Sequence, residues 1–322
     1  MENPLLRAVA ALILVISLGC IFNANGAFFS WPAHRDMFRQ VAVFGILASG
    51  MTLVILTSGI DLAVGSVLGL SAVLFSILTI KMQMTAFAAI AICLATGAVL
   101  GALSGTLVSK LKIQPFMATL AMMVFARGLA KWISGGKKIS QSVENEDGTF
   151  SFIDLPSVFE FLDQKIWNGQ MSVVSLIFIG IALLGALFLT YHKFGRYFLA
   201  VGGNEEASKI SGVPVDGIKI LSYLVCGILA AVAGILQAVQ EGQGDPEAGG
   251  SYELTAIAMV VIGGTSLMGG RGGLLLTIFG VLTIGYLEKI LSLNAVGEST
   301  RLMLTGSIIV LAVLLQRKKS LT

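Results

Sequence analysis

Charged side chains are scarce in this sequence. Asp, Glu, Lys and Arg together make up 12% of its 322 residues, about half the roughly 25% that a soluble domain spreads over its surface. A water-facing exterior of the usual kind is therefore excluded. Cysteine is equally sparse: Cys20, Cys93 and Cys226 sit in apolar runs with no CxxC spacing. That excludes a disulfide framework and a thiolate metal site, and predicts three buried, inert thiols. His34 and His192 stand alone, short of the converging ligands that a metal needs. No Ser/His/Asp, Cys/His or HExxH set falls within an apolar run, so an intramembrane enzyme lacks its nucleophile and base. No catalytic residue, metal or cofactor is expected. The net charge of +3 is spread thinly, which gives a nucleic acid no basic stripe to bind.

A nucleotide site is missing too. The glycine-rich run Gly263-Gly264-Thr265-Ser266-Leu267-Met268-Gly269-Gly270-Arg271-Gly272-Gly273 invites comparison with a phosphate loop. Counted from Gly264, however, Gly270 stands where the lysine must be, and no strand precedes the run. This chain is not expected to hydrolyse ATP by itself.

What remains is apolar: 56% of residues are hydrophobic and the mean hydropathy is +0.89. Runs of about 20 apolar residues, each matching the ~30 Å bilayer core, recur along the chain. They predict an all-α, polytopic membrane helical bundle of about ten transmembrane helices in one membrane domain, 1–322. The spans fall near 5–22, two within 41–80, 86–108, 115–133, 171–191, 218–240, 253–269, 274–291 and 302–316. The first carries only Arg7 ahead of its apolar core and no clean small-residue cleavage site, so it is expected to stay as a helix. Lys and Arg divide almost evenly between the two sides. Orientation thus rests on the Arg317-Lys318-Lys319 tail and the basic 192–219 loop, which place both termini in the cytoplasm. The polar, acidic stretch 135–170 then lies outside. Trp132 and Trp167 stand near span boundaries as interface anchors.

Glycine punctuates the spans. Gly97, Gly101 and Gly105 recur every fourth residue, and Gly65 with Gly69 repeats the spacing. Such stripes predict close helix packing and say nothing about a solute. Two runs read as broken spans, Gly59-Ile60-Asp61-Leu62-Ala63-Val64-Gly65-Ser66 and the 263–273 segment. Interruptions at comparable places in two halves point to a transport pathway, and suggest an internal repeat. Asp61 is the most informative residue, because a carboxylate near the bilayer centre costs about 2.5–3.5 kcal/mol. Two readings account for it: a cap on a helix beginning at Leu62, or a solute or proton-relay group. Glu253 either caps its span or faces a pore. Arg127 and Lys131, four apart near a span end, are expected to snorkel to headgroups.

The stretch His192–Lys219 is the longest polar interruption of the second half. Asn204 suits an N-cap, and Glu205 and Glu206 suit the positive end of the helix dipole. Lys209 suits the negative end, Gly212 the C′ position, and Pro214 stops any continuation. The resulting helix is well short of the ~12–15 residues that are stable alone. Ala207 and Ile210 give it one small apolar face, as expected of a docking element.

Together these motifs resemble the permease subunits of bacterial sugar-type ABC importers, the ribose/galactose/xylose permease family. The similarity covers about 41–316. It is carried by Gly50-Met51-Thr52, the 59–66 run, Pro115-Phe116, Thr119-Leu120, Arg127-Gly128, Gly195-Arg196, Gly202-Gly203-Asn204, Ser211-Gly212-Val213, Glu253-Leu254, Ala256-Ile257-Ala258 and the 262–270 run. Ala121, Gln114 and Thr255 depart from the family pattern. The resemblance implies a permease that moves a monosaccharide through the bacterial inner membrane by alternating access. Its implied partners are an ABC ATP-binding subunit, a periplasmic or lipid-anchored solute-binding protein and a second permease chain. It further implies that 192–219 is a cytoplasmic coupling loop using Gly195, Arg196, Gly202, Gly203, Asn204, Glu205, Glu206, Ala207, Ile210 and Gly212. Gly59, Asp61, Ser66, Phe116, Thr119, Glu253 and Thr265 are the candidate pathway residues. Permeases of this architecture for amino acids or nucleosides, and an ion-coupled secondary transporter, stand as the alternatives.

Overall fold

The computed structural model describes residues 4–144, 150–297, 299–301, 303, 304, 306 and 307. The predicted last span, 302–316, the basic tail, and Glu146 and Asp147 of the acidic stretch lie wholly or largely outside these residues. Eight of the described helices are long and apolar enough to cross a membrane. They are α1 (Pro4–Ile21), α2 (Trp31–Leu56), α3 (Val64–Ser76, running on as a π-helix to Lys81), α4 (Ala86–Ser109), α5 (Pro115–Ser134), α7 (Val173–Tyr191), α10 (Val215–Glu241) and α12 (Leu274–Leu293). The short helices are α6 (Ser157–Asp163), α8 (Lys193–Gly203), α9 (Glu205–Ile210) and α11 (Tyr252–Gly263). The all-α membrane bundle expected from hydropathy is the architecture found, with two small antiparallel strand pairs added between α5 and α7.

The span expected at 253–269 is corrected. Helix α11 stops at Gly263, where Gly264 takes φ +103° and ends the ladder. Its twelve residues span about 18 Å, little more than half the bilayer core.

The bundle has two ends. One carries 192–219, and there Gly202 meets the last turn of α2 and Gly270; we term it the near end. The far end carries 135–144 and 150–170, where Trp31 Nε1 and Arg35 Nη1 donate to the carbonyls of Gln170 and Gly169. Helix α2 lies at the centre, and from Val41 to Leu56 nearly every residue is buried. A helix that is apolar all round belongs in such a place. Helices α1, α4 and α5 keep large apolar side chains such as Leu14, Phe87, Val99, Val124 and Phe125 exposed, a surface suited to lipid.

The glycine stripe of α4 does what its spacing predicts. A Cβ at Gly97 would stand 2.3 Å from the Gly227 carbonyl oxygen, and one at Gly101 2.2 Å from that of Tyr223. Helices α4 and α10 therefore touch backbone to backbone. Cys93 and Cys226 are buried as expected; Cys20 is exposed, a correction, because α1 covers only one side of the bundle.

Candidate functional site

Two chain breaks meet inside the bundle. After α2 ends at the near end, residues 57–63 climb back inside before α3 starts at Val64 and runs to the far end. After α10 ends at the far end, residues 242–251 descend before α11 starts at Tyr252 and runs to the near end. Because both start within the bundle and not at one of its ends, α3 and α11 are termed half-spans; they point opposite ways, and their beginnings touch. A Cβ on Gly65 would lie 2.2 Å from the Gly249 carbonyl oxygen and 2.7 Å from Glu253 Oε2. Two long helices of 26 and 27 residues, α2 and α10, each precede a break and a half-span. The sequence pairs the 59–66 break with 263–273; in the structure the break that it meets is 242–251. The glycine-rich 263–273 run is instead a near-end corner between α11 and α12. Gly69, the partner of Gly65 in its stripe, faces the Ala248 carbonyl.

Arg127 does not snorkel. Its guanidinium turns inward from α5, where Nη1 donates to the carbonyls of Pro246 (2.5 Å) and Ala248 (2.7 Å), and Nη2 reaches the Gly65 carbonyl at 3.5 Å. Buried carbonyls outside helices need donors, and the rigid five-donor fork of arginine supplies several at once. Lys131, one turn on, pairs with Glu247 at 2.6 Å rather than with headgroups. Beyond the end of α5, Lys138 Nζ lies 2.9 Å from Asp245 Oδ2. Ile139 and Gly244 exchange backbone hydrogen bonds of 2.8 Å in both directions. Burial alone pushes the Asp245 carboxyl up, but the Lys138 hydrogen bond, the Glu247 amide and the Lys138 and Arg127 charges outweigh it and hold it below its ordinary value. The hydrogen bond to Asp245 in turn raises the Lys138 ammonium.

Among the candidate pathway residues, Gly59, Asp61 and Thr119 gather around one turn. The Ile60 carbonyl accepts from Thr119 Oγ1 and Tyr223 Oη, both at 3.3 Å, and Gly59 leaves room for the Tyr223 hydroxyl. Asp61 is 3% exposed. Its Oδ1 accepts the Ala63 amide at 2.9 Å. Asp61 therefore closes the turn ahead of α3, with the helix starting at Val64 and not Leu62. Glu253 sits half-buried in the first turn of α11 beside Gly65. Ser66 is buried on α3. Phe116 is largely exposed. Thr265 lies apart, in the near-end corner, its Oγ1 accepting the Gly273 amide at 3.3 Å.

At the near end, Asn204 caps α9 as predicted, Oδ1 accepting the Ala207 amide at 2.9 Å, and Gly212 takes φ +80°. Glu205 pairs with Lys219; Arg196 and Glu206 are exposed. The polar Ser208 faces the bundle, while Ala207 and Ile210 face away, Ile210 being 83% exposed. Helix α8 precedes it, burying Gly195, Phe198 and Val201. Sequence reasoning missed α8, although Phe194, Tyr197, Phe198 and Val201 recur at helical spacing. Gly202 is wedged where a Cβ would lie 1.8 Å from the Leu56 carbonyl oxygen and 2.6 Å from the Gly270 nitrogen. Gly203 packs on Gly270.

Residues 35–313 match the family described as "Branched-chain amino acid transport system / permease component". The chain is 38% identical to the ribose import permease protein RbsC of Escherichia coli (strain K12), over 97% of this chain and 94% of that protein. It is 39% identical to RbsC of Bacillus subtilis (strain 168), over 96% and 90%. It is 30% identical to the xylose transport system permease protein XylH of Escherichia coli (strain K12), over 94% and 89%. No solved structure matches it significantly.

Proposed function

Because this chain belongs to the family of branched-chain amino acid transport system permease components, we propose that it is the transmembrane subunit of an ATP-driven ABC importer for a monosaccharide. The names of its ribose and xylose relatives support sugar over amino acids or nucleosides as the solute. One observation carries the ATP-driven part: α9 turns its apolar residues, Ile210 above all, away from its own bundle and its serine inward. A short helix with that inverted pattern is suited to a groove on another protein. The partner is an ABC ATP-binding subunit, and residues 192–219 are its coupling loop. The near end and both termini then face the cytoplasm, in the bacterial inner membrane, and 135–170 face outward, where a solute-binding protein delivers sugar.

The two half-spans, with Asp61, Ser66, Thr119 and Glu253 around them, are the moving part of the pathway. The exposed non-helical backbone at their junction, at Gly250 and Ser251, cannot be satisfied by lipid. They support a second permease chain on that side, with the solute passing between the two. ATP-driven closure of the partner pushes on α9 and switches the side to which the pathway opens.

The test is reconstitution. D-ribose accumulation in proteoliposomes should require ATP, the ATP-binding subunit and the solute-binding protein. Accumulation by this chain alone, on an ion gradient, would replace the reading with secondary transport.

A further inference from the structure

The transport reading leaves open what keeps the far side closed, and the structure offers a specific answer. Residues 242–251 enter the bundle as a non-helical link, bracketed by positive φ at Gly242, Gly249 and Ser251. Four contacts fasten it on the α5 side, in order of depth. Ile139 pairs with Gly244, Lys138 with Asp245, Lys131 with Glu247, and Arg127 with the Pro246 and Ala248 carbonyls. The Lys131–Glu247 pair is exposed on both sides and Lys138 is exposed as well, so water screens both pairs even though Asp245 itself is mostly covered. The Arg127 contact is deeper, and it alone reaches across the link to α3, through the Gly65 carbonyl. Gly69 is cut away to admit it: a Cβ there would lie 2.8 Å from Arg127 Nη1.

We propose that Arg127 is a positioning residue of transport, a clasp that holds the 242–251 link folded against α3 and keeps the pathway shut toward the far end. Its hydrogen-bond partners are backbone carbonyls, which water can replace, while the charges of Glu247, Glu253 and Asp245 also act on it. The bracketing Gly242 and Gly249 give the freed link its bending points. The inference deepens the importer reading and rests on it for the meaning of opening, though not for the clasp itself.

Ser76 supplies the reporter. It is fully buried beneath the link, its Oγ has no hydrogen-bond partner, and a Cβ at Gly244 would stand 2.8 Å from it. The full chain carrying Ser76→Cys and Cys20→Ser, in membrane vesicles open to reagent at the far end, is treated with a membrane-impermeant sulfonated maleimide. Labelling should be slow with Arg127, at least tenfold faster with Arg127→Met, and intermediate with Arg127→Lys, which keeps one cation but loses the fork. If Arg127→Met does not yield monodisperse protein, Arg127→Lys decides. Labelling at the parent rate in a folded variant overturns the clasp.

The second arm uses the chain with its ATP-binding and solute-binding partners. Arg127→Lys should lower D-ribose moved per ATP hydrolysed several-fold at an unchanged unfolding temperature, which a merely structural role would not do. An unchanged ratio overturns the positioning role. Labelling that rises as expected while no variant, parent included, moves D-ribose would instead sink the importer reading and leave the clasp standing.

Discussion

Gly65 and Gly249 meet face to face at the start of the two half-spans: a Cβ on either would lie 2.2 Å from the other's carbonyl oxygen. The contact admits no side chain, and Gly249 also holds φ +77°. Gly65→Ala should cost about 1–3 kcal/mol through overpacking, and Gly249→Ala should cost more because backbone strain adds to the clash. Thermal unfolding in detergent, with D-ribose uptake alongside, measures both. Neutral behaviour in either would mean that the link can withdraw freely.

Ile210 is the converse case, a large apolar side chain that touches little of its own protein. Ile210→Asp should change stability by no more than about 0.5 kcal/mol, as for an ordinary surface site, yet abolish ATP-dependent uptake. Asn204→Ala, which removes the hydrogen bond capping α9, should destabilise by about 1 kcal/mol. Co-purification of the ATP-binding subunit provides the readout; retention of the subunit by Ile210→Asp would remove α9 as the dock.

Asp61 tests the two readings left by the sequence. Its hydrogen bond from Ala63 needs an oxygen but no charge, so Asp61→Asn should keep most of the uptake. Asp61→Ala leaves the Ala63 amide unsatisfied in a buried turn and should cost about 1–3 kcal/mol. Folded Asp61→Asn with no uptake would instead assign the carboxylate to the solute or to a proton.

The Lys138–Asp245 pair gives a pH dependence of known sign. Asp245 sits below its ordinary 3.8 in the fold, so its contribution is complete above that value and lost as pH falls through the depressed one. Lys138 sits above 10.5, so its share is complete below 10.5 and lost as pH rises through the raised value. The difference in unfolding temperature between wild type and Asp245→Asn should therefore be flat from about pH 5 to 9 and shrink in stronger acid. A difference that grows in acid would contradict the pairing.

The sequence made the local features legible. Apolar length marked the spans, and the α9 caps were readable because Asn204, Gly212 and Pro214 act within a few residues of themselves. The α4 glycines announced close packing by spacing alone. Arg127 was misread because its partners are main-chain carbonyls 119 and 121 positions away, and a carbonyl leaves no mark in a sequence. The glycine-rich composition of 263–273 made it the expected second break. The stretch Gly242–Ser251 drew no reading from its sequence, because only tertiary contact with Gly65 reveals that it turns inward. Helix α11 was drawn too long for the opposite reason: Leu267 and Met268 continue the apolar run after Gly264 has ended the ladder.

Gly202 has a mechanical corollary. It bears on the Leu56 carbonyl and the Gly270 amide, which are hydrogen-bonded to each other at 3.0 Å, while Ser58 Oγ ties the Gly202 and Met268 carbonyls at 3.2 and 2.9 Å. At Gly202 itself there is no rotamer to swivel and so no cushion. Any displacement of α8 at Gly202 has to shift the foot of α2 and the α11–α12 corner in the same stroke, which makes this joint a rigid coupling between them and not a spring.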